Sequence, residues 1–143
     1  MQLHALARRV DRLEGFGDLL AALRARRTHA QVDGLVGPTR ALALARLFAS
    51  APRPTLLITY QNEQCQRLWD DLRAFGVPEE SLRILPHSEG RWLSHEATDY
   101  RMLGERVAAL VALAQGRPSI VIGTFEAVLQ RCGPPNELVA DPL

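Results

Sequence analysis

The strongest constraint on the fold is an alternation between short apolar runs and longer amphipathic segments. Residues 55–59, 81–85 and 119–123 are apolar and β-prone, and apolar side chains recur at helical spacing between them. Strands that alternate with helices form a parallel sheet through right-handed crossovers. The sequence therefore predicts an α/β fold, a parallel sheet with flanking helices. The unbroken run at residues 55–59 also predicts a strand that is covered on both faces.

Caps and breakers set the bounds of the expected elements. Residues 1–30 are expected to form a helical extension, interrupted at Gly15 and Gly17 and capped again by Asp18. Residues 31–143 are expected to form the α/β domain. Its other expected elements are strands at residues 31–35 and 137–141 and helices at residues 39–50, 62–75, 99–115 and 124–131.

Two of these helices have clear apolar stripes. The stripe of the helix at residues 62–75 consists of Cys65, Leu68, Trp69, Leu72 and Phe75. The stripe of the helix that Thr98 or Asp99 caps consists of Leu103, Val107, Leu110, Val111 and Ala114. Gly76 with Pro78, and Gly116 with Pro118, are expected to end the two helices.

The eight residues from Gly34 read Gly-Leu-Val-Gly-Pro-Thr-Arg-Ala, between an expected strand and an expected helix. A phosphate-binding loop, G-x-x-x-x-G-K-[ST], occupies this position in ATPases. If Gly34 is the first glycine, Thr39 stands at the second glycine, Arg40 at the lysine and Ala41 at the Mg²⁺-binding hydroxyl. We call residues 34–41 the Gly34 loop and interpret Gly34, Gly37, Thr39 and Arg40 as a vestigial phosphate site.

Each replacement in the Gly34 loop weakens phosphate or metal binding. Pro38 lacks an N–H donor, Thr39 adds a side chain where glycine permits close approach, and Ala41 cannot bind Mg²⁺. Residues 138–141 have the apolar-then-Asp pattern of a Walker B strand, but an ordinary strand end is the preferred interpretation. The leading prediction is a structural loop with no cofactor and no catalytic residues. Weak anion binding at the helix N-terminus is the alternative.

Charge is distributed unevenly along the chain. All 17 basic residues are Arg, so a P-loop Lys is absent from the whole sequence. Residues 1–46 carry eight Arg and four acidic residues, whereas the remainder carries nine Arg and twelve acidic residues. The basic N-terminal third is either a solvated helix face or a surface for an acidic partner or nucleic acid.

The cysteine and histidine content predicts neither a disulfide framework nor a metal site. Cys65 and Cys132 are far apart in sequence, and we expect two reduced and mostly buried thiols. The four His have no spacing typical of metal ligands. No apolar run is long enough for a membrane span, and residues 1–12 lack a signal core. These features predict a cytoplasmic protein.

Several segments, taken in order, resemble the UvrB-like N-terminal region of the Mfd family, the bacterial transcription-repair coupling factors. The segments that carry the resemblance are residues 34–41, 56–60, 72–75, 85–86, 106–110 and 120–131. The likeness extends over residues 30–140. It implies a RecA-like half-domain, as in superfamily 2 helicases and UvrB, with a degenerate Walker A loop. Thr39-Arg40 suits the altered loop of the Mfd family rather than the intact G-K-T of UvrB.

The resemblance implies a role in transcription-coupled nucleotide excision repair. In that family, the UvrB-like module recruits UvrA, a middle module binds RNA polymerase, and separate motor domains hydrolyse ATP on duplex DNA. This region would therefore be a non-catalytic scaffold. The main UvrA-contacting surface belongs to a subdomain that follows, so the chain is expected to be part of a longer protein. An NTPase or a nucleic-acid-binding domain with a variant P-loop is the alternative.

Two further residues have open interpretations. Arg106 either pairs with an acidic residue under the sheet or faces solvent. Trp92, in the loop between His87 and His95, is either a partner anchor or a packed loop aromatic.

Overall fold

The computed structural model describes residues 8–13, 15–25, 29–87, 100–134 and 136. The chain forms two compact units, each described by itself below. The first unit comprises Met1–Pro52 with Asp70–Glu79, and the second comprises Arg53–Trp69 with Glu80–Leu143. The predicted boundary between residues 1–30 and 31–143 stays a prediction.

The second unit is built on a three-stranded parallel sheet in the order β1-β3-β2. The strands are β1 (Pro54–Thr59), β2 (Leu82–Leu85) and β3 (Ser119–Thr124). β3 is the central strand, and all six of its residues are buried. The predicted α/β class and parallel sheet are confirmed.

The prediction that β1 is covered on both faces is wrong. Within the described sheet, β1 is an edge strand, and its first five side chains alternate between exposed and partly buried. Leu56 and Ile58 are 39% and 54% exposed. A continuous apolar run is typical of a strand that is buried on both faces, but the assembled fold decides which faces are covered, and the face that carries Leu56 and Ile58 is partly open.

Two helices cover one face of the sheet. They are α4 (Tyr100–Ala114) and α5 (Phe125–Leu129). Ala109 of α4 and Ala127 of α5 form a buried cluster with Leu85 and Val121 from the sheet. Gly123 permits the close approach of β2, because a Cβ atom there would lie 3.1 Å from the Cβ of Leu85.

The apolar stripe predicted for α4 is partly wrong. Leu103 is 48% exposed, whereas Arg106 and Ala109 are the buried residues of the helix. The helical periodicity predicts that the large aliphatic side chains are buried. The face that packs on the sheet is instead built around a small residue and a buried guanidinium.

The predicted stripe and stop signals of the preceding helix are confirmed. This helix, α3 (Asn62–Ala74), buries Cys65 and Leu72. Gly76 follows it with φ 92°, and the N–H of Val77 donates to Leu72 O at 3.0 Å. The same arrangement ends α4 at Gly116, where the N–H of Arg117 donates to Ala112 O at 3.2 Å. Both are Schellman-type ends, which favour glycine.

The first unit contains a 3₁₀ helix (Arg8–Arg12), α1 (Phe16–Arg24) and α2 (Pro38–Ser50). The helical character predicted for the N-terminus is confirmed within the described residues. The cap is corrected: Gly15, with φ 86°, is the N-cap of α1, and Asp18 lies within the first turn.

The predicted strand at residues 31–35 is wrong. These residues have no regular secondary structure, and four of the five are exposed. A strand requires a hydrogen-bonded neighbour, and among the described residues the sheet consists of β1, β2 and β3 alone. Gly34 also has φ 81°, outside the β region.

Some predictions lie outside the described residues. They concern the strand at residues 137–141, the cap at Thr98 or Asp99, and the side chains of Trp92 and His95. Across the part of the chain that is described, none of the helices combines the length and apolarity that crossing a bilayer demands.

Candidate functional site

The Gly34 loop leads directly into α2. Gly34 and Gly37 have φ values of 81° and 53°, which L-residues with side chains rarely adopt. Gly37 is the N-cap of α2, and Pro38 occupies the first turn, where its fixed φ suits a helix start. The two glycines are therefore required by the backbone of the loop, whatever else the loop does.

Hydrogen bonds inside the loop occupy the N–H groups that a phosphate would need. The N–H of Val36 donates to Thr39 Oγ1 at 2.9 Å, and that hydroxyl donates to Val36 O at 2.6 Å. The N–H of Thr39 donates to Val36 O, and the N–H of Arg40 donates to Gly37 O. Pro38 has no N–H at all. A phosphate cradle depends on several free N–H groups that point at one anion, and four of the five residues 36–40 offer none.

The side chains at the positions of the lysine and the Mg²⁺-binding hydroxyl differ in exposure: Arg40 is exposed and Ala41 is buried. Arg40 donates from Nε to Leu35 O at 2.9 Å, so part of its guanidinium is bound to the loop backbone. Ala41 is fully buried in the protein and has no hydroxyl. The arrangement stabilises a turn before a helix, and it presents no Mg²⁺ ligand from these two positions.

The wall beside the loop is largely apolar. A cavity of about 730 Å³ in the first unit includes Gly34 and Leu35 in its lining, together with Val10, Phe16 and Leu19. Such a lining suits apolar groups better than a triphosphate.

The carboxyl ends of β1 and β3 place two threonines near each other in the second unit. The Thr59 hydroxyl lies 3.0 Å from Cys65 Sγ and 3.2 Å from Gln61 O. The Thr124 hydroxyl accepts from the N–H of Ala127 at 3.2 Å and caps α5, as predicted. Ligands of open α/β sheets bind at this edge, but here both hydroxyls are committed to internal bonds.

Two ionisable residues, His87 and Glu126, follow the ends of β2 and β3 respectively. Hydrogen bonds from its own backbone N–H and from the Thr124 hydroxyl lower the pKa of Glu126, and the charge of His87 lowers it further. His87 Nδ1 is shielded from solvent and has no hydrogen-bond partner among the described residues. Neither residue was singled out by the sequence as a site, because their proximity depends on the pairing of β2 with β3.

Arg106 is the most unusual side chain of the second unit. It is only 7% exposed, and it donates to the carbonyl oxygens of Pro86, Ala127 and Gln130 at 3.0–3.2 Å. Burial lowers the pKa of its guanidinium. Both predicted roles for Arg106 are therefore wrong: its acceptors are carbonyl groups rather than a carboxylate, and it does not face solvent. It connects the end of β2 to α5.

The N-terminal Arg residues are divided in role. Arg46 forms a bidentate ion pair with Asp11, with N···O distances of 2.6 and 2.7 Å. Arg9, Arg12 and Arg24 are exposed. Cys65 is buried as expected, but Cys132 is exposed, so the expectation of two buried thiols holds for one of them. Within the described ranges, no three His, Cys, Asp or Glu residues form a metal-binding group.

No protein-family model, no curated protein and no solved structure matches the chain. The relationship to the Mfd family inferred from the sequence stays a prediction.

Proposed function

We propose that the chain is a non-catalytic scaffold and protein-interaction domain of a transcription-coupled DNA repair factor. It would form part of a UvrB-like module of the Mfd type, which recruits UvrA to stalled RNA polymerase. The parallel sheet would then be a RecA-like half-domain, and the Gly34 loop a degenerate Walker A loop. Contacts with UvrA, RNA polymerase and duplex DNA would be made through the parent protein.

The observation that carries the proposal is the internal hydrogen bonding of the Gly34 loop. The Thr39 hydroxyl binds both the N–H and the carbonyl of Val36, and Arg40 binds Leu35 O. A loop that binds nucleotide keeps its donors directed at the anion. This loop uses its donors to hold the start of α2, which supports a structural role.

The first experiment is an isothermal titration of Mg-ATP into the chain, with an Arg40→Ala variant alongside. We expect no saturable heat up to millimolar nucleotide in either protein, and no ATP turnover. Micromolar affinity that disappears in the Arg40→Ala variant would contradict the proposal and favour an NTPase with a variant loop.

The second experiment tests the structural role of the loop directly. Thr39→Val keeps the shape of the side chain but removes the hydroxyl, so the N–H and carbonyl of Val36 lose a partner. We expect a loss of about 1–2 kcal/mol in the free energy of unfolding, measured by urea denaturation. Thr39→Ser retains the hydroxyl and is expected to lose less than half of that amount.

A mobility-shift assay with duplex DNA distinguishes the proposed scaffold from the alternative, a nucleic-acid-binding domain. Binding by the exposed Arg residues would fall steeply as salt rises. We expect no salt-sensitive shift at 50 mM salt. A shift that Arg9→Gln and Arg12→Gln together remove would assign nucleic-acid binding to the N-terminal third.

A further inference from the structure

The two edges of the sheet differ in how well they are protected. β2 is only four residues long and carries Arg83, and short or charged edge strands resist further pairing. β1 is six residues long, and the five residues after Pro54 are uncharged. Pro54 stands at the first position of the strand, where it leaves the remaining N–H groups available. Among the described residues, no strand pairs with the outer edge of β1, so this edge can accept another strand.

Exposed apolar side chains accompany this open edge. Leu56 and Ile58 are paired in register with Val121 and Gly123 of β3, so they project to the face where Val121 joins the buried cluster. Helix α5 covers the same face and contacts both β1 and β3. Phe125 and Leu129, one turn apart on α5, are 55% and 66% exposed. Exposed apolar groups combined with an unpaired backbone are typical of a protein interface.

The sequence of β1 indicates which partner fits. Residues 55–59 read Thr-Leu-Leu-Ile-Thr, and the order of polar and apolar residues in this segment is the same in both directions. If two copies meet antiparallel about a two-fold axis at Leu57, Thr55 lies opposite Thr59 and Leu56 lies opposite Ile58. Every cross-strand pair then consists of two threonines or of two aliphatic residues, and such pairs are favourable.

The residues that flank the strand also tolerate this register. The same two-fold axis sets Pro54 opposite Tyr60, which is 87% exposed, and sets Arg53 opposite Gln61. No like charges meet along the paired segment. A two-fold interface requires such self-complementarity, because each residue meets the image of its counterpart.

We propose that two copies of the chain pair through β1, antiparallel about a two-fold axis at Leu57, to form a continuous six-stranded sheet. The α5 helices of the two copies then lie on one face and bring Phe125 and Leu129 to the interface. This pairing is independent of the proposed repair function, since it uses neither the Gly34 loop nor any family property.

The first test is sedimentation equilibrium of the chain from 1 to 300 µM. We expect a reversible dimer of twice the 15.9 kDa chain mass. Ile58→Lys adds a charge to the open edge and is expected to raise the dimer dissociation constant at least tenfold. Leu103→Lys, at a comparably exposed residue of α4, is the matched control and is expected to change it less than threefold. A monomer at all concentrations, or equal effects of both variants, would overturn the proposal.

The second test reports the register and does not depend on a disruptive variant. In a Cys132→Ser background, Leu57→Cys places two thiols on directly opposed positions, where a disulfide can form. We expect a covalent dimer under oxidising conditions, abolished by adding Ile58→Lys. Leu103→Cys is the control for random collision. If Leu57→Cys cross-links no faster than Leu103→Cys, the proposed pairing is wrong.

Discussion

At the scale of single residues, Arg106 shows how a charged side chain can become part of a core. Its guanidinium has three carbonyl acceptors, on Pro86, Ala127 and Gln130. These carbonyl groups lie at the ends of β2 and α5, where the regular hydrogen bonds of the strand and the helix no longer continue. Arg106 satisfies them together, and this explains why a charged residue lies on the buried face of α4.

Replacing Arg106 by Met tests this role. The substitution keeps much of the apolar stem but leaves buried carbonyl groups without donors, so we expect a loss of roughly 2–4 kcal/mol in the free energy of unfolding. Glu105→Gln, on the same helix, removes an exposed ion pair with Arg101 and is expected to cost at most about 0.5 kcal/mol. Urea denaturation measures both. Similar losses in the two variants would contradict the assigned role.

At the scale of secondary-structure elements, the two glycines associated with α4 have opposite requirements. Gly104 lies inside the helix, and an added Cβ there meets nothing within 4 Å. Gly116 ends the helix with φ 66°, where a side chain strains the backbone although space is open. Conformation rather than packing therefore distinguishes the two sites.

Alanine at each site is expected to change stability in opposite directions. Gly104→Ala should raise the free energy of unfolding by roughly 0.5–1 kcal/mol, because alanine is the better helix former. Gly116→Ala should lower it by about 1 kcal/mol, the cost of a left-handed L-residue. Thermal and urea unfolding of the two variants measure the difference. A stabilising Gly116→Ala would show that α4 does not end as described.

The ion pair between the 3₁₀ helix and α2 gives the first unit a specific pH dependence. The hydrogen bond from Arg46 lowers the pKa of Asp11. A lowered folded-state pKa means that the pair stabilises the fold above the unfolded carboxyl pKa of about 3.9, and that this stabilisation is lost as pH falls through the folded value.

Asp11→Asn therefore should be less stable than the natural chain at pH 7, and the two should converge as pH falls well below 3.9. Arg46→Gln is the matched control, because it removes the same ion pair by changing the cation. Its stability should also converge with that of the natural chain as pH falls well below 3.9. Urea denaturation at pH 7, 5 and 3 measures the differences. A difference that persists unchanged at pH 3 would assign the effect to packing instead of charge.

At the scale of the whole molecule, net charge controls solubility. The formal net charge is +1 at pH 7 and the sequence pI is about 7.9, so the chain is nearly neutral where many proteins are handled. Near-neutral molecules with an open strand edge associate readily. Solubility in polyethylene glycol should therefore be lowest near the pI, at about pH 8, and rise towards pH 6 as the net charge moves away from zero. A solubility minimum at pH 6 would contradict this expectation.

The α/β class, the three described strands and the ends of several helices follow from the amino-acid sequence alone. These features depend on local chemistry: β-prone runs, a threonine that caps α5, and glycines where φ is positive. The Gly34 loop was likewise located from its sequence, because two glycines, a proline and a helix start lie within a few residues of one another.

Features that depend on partners distant in sequence follow from the assembled fold and not from local patterns. The strand order made β1 an edge and left residues 31–35 without a neighbour in the described sheet. The ends of β2 and α5 created the carbonyl site that buries Arg106. Local patterns specify what a segment can form, but hydrogen-bond acceptors and sheet neighbours come from elsewhere in the chain, so their positions follow only from the assembled fold.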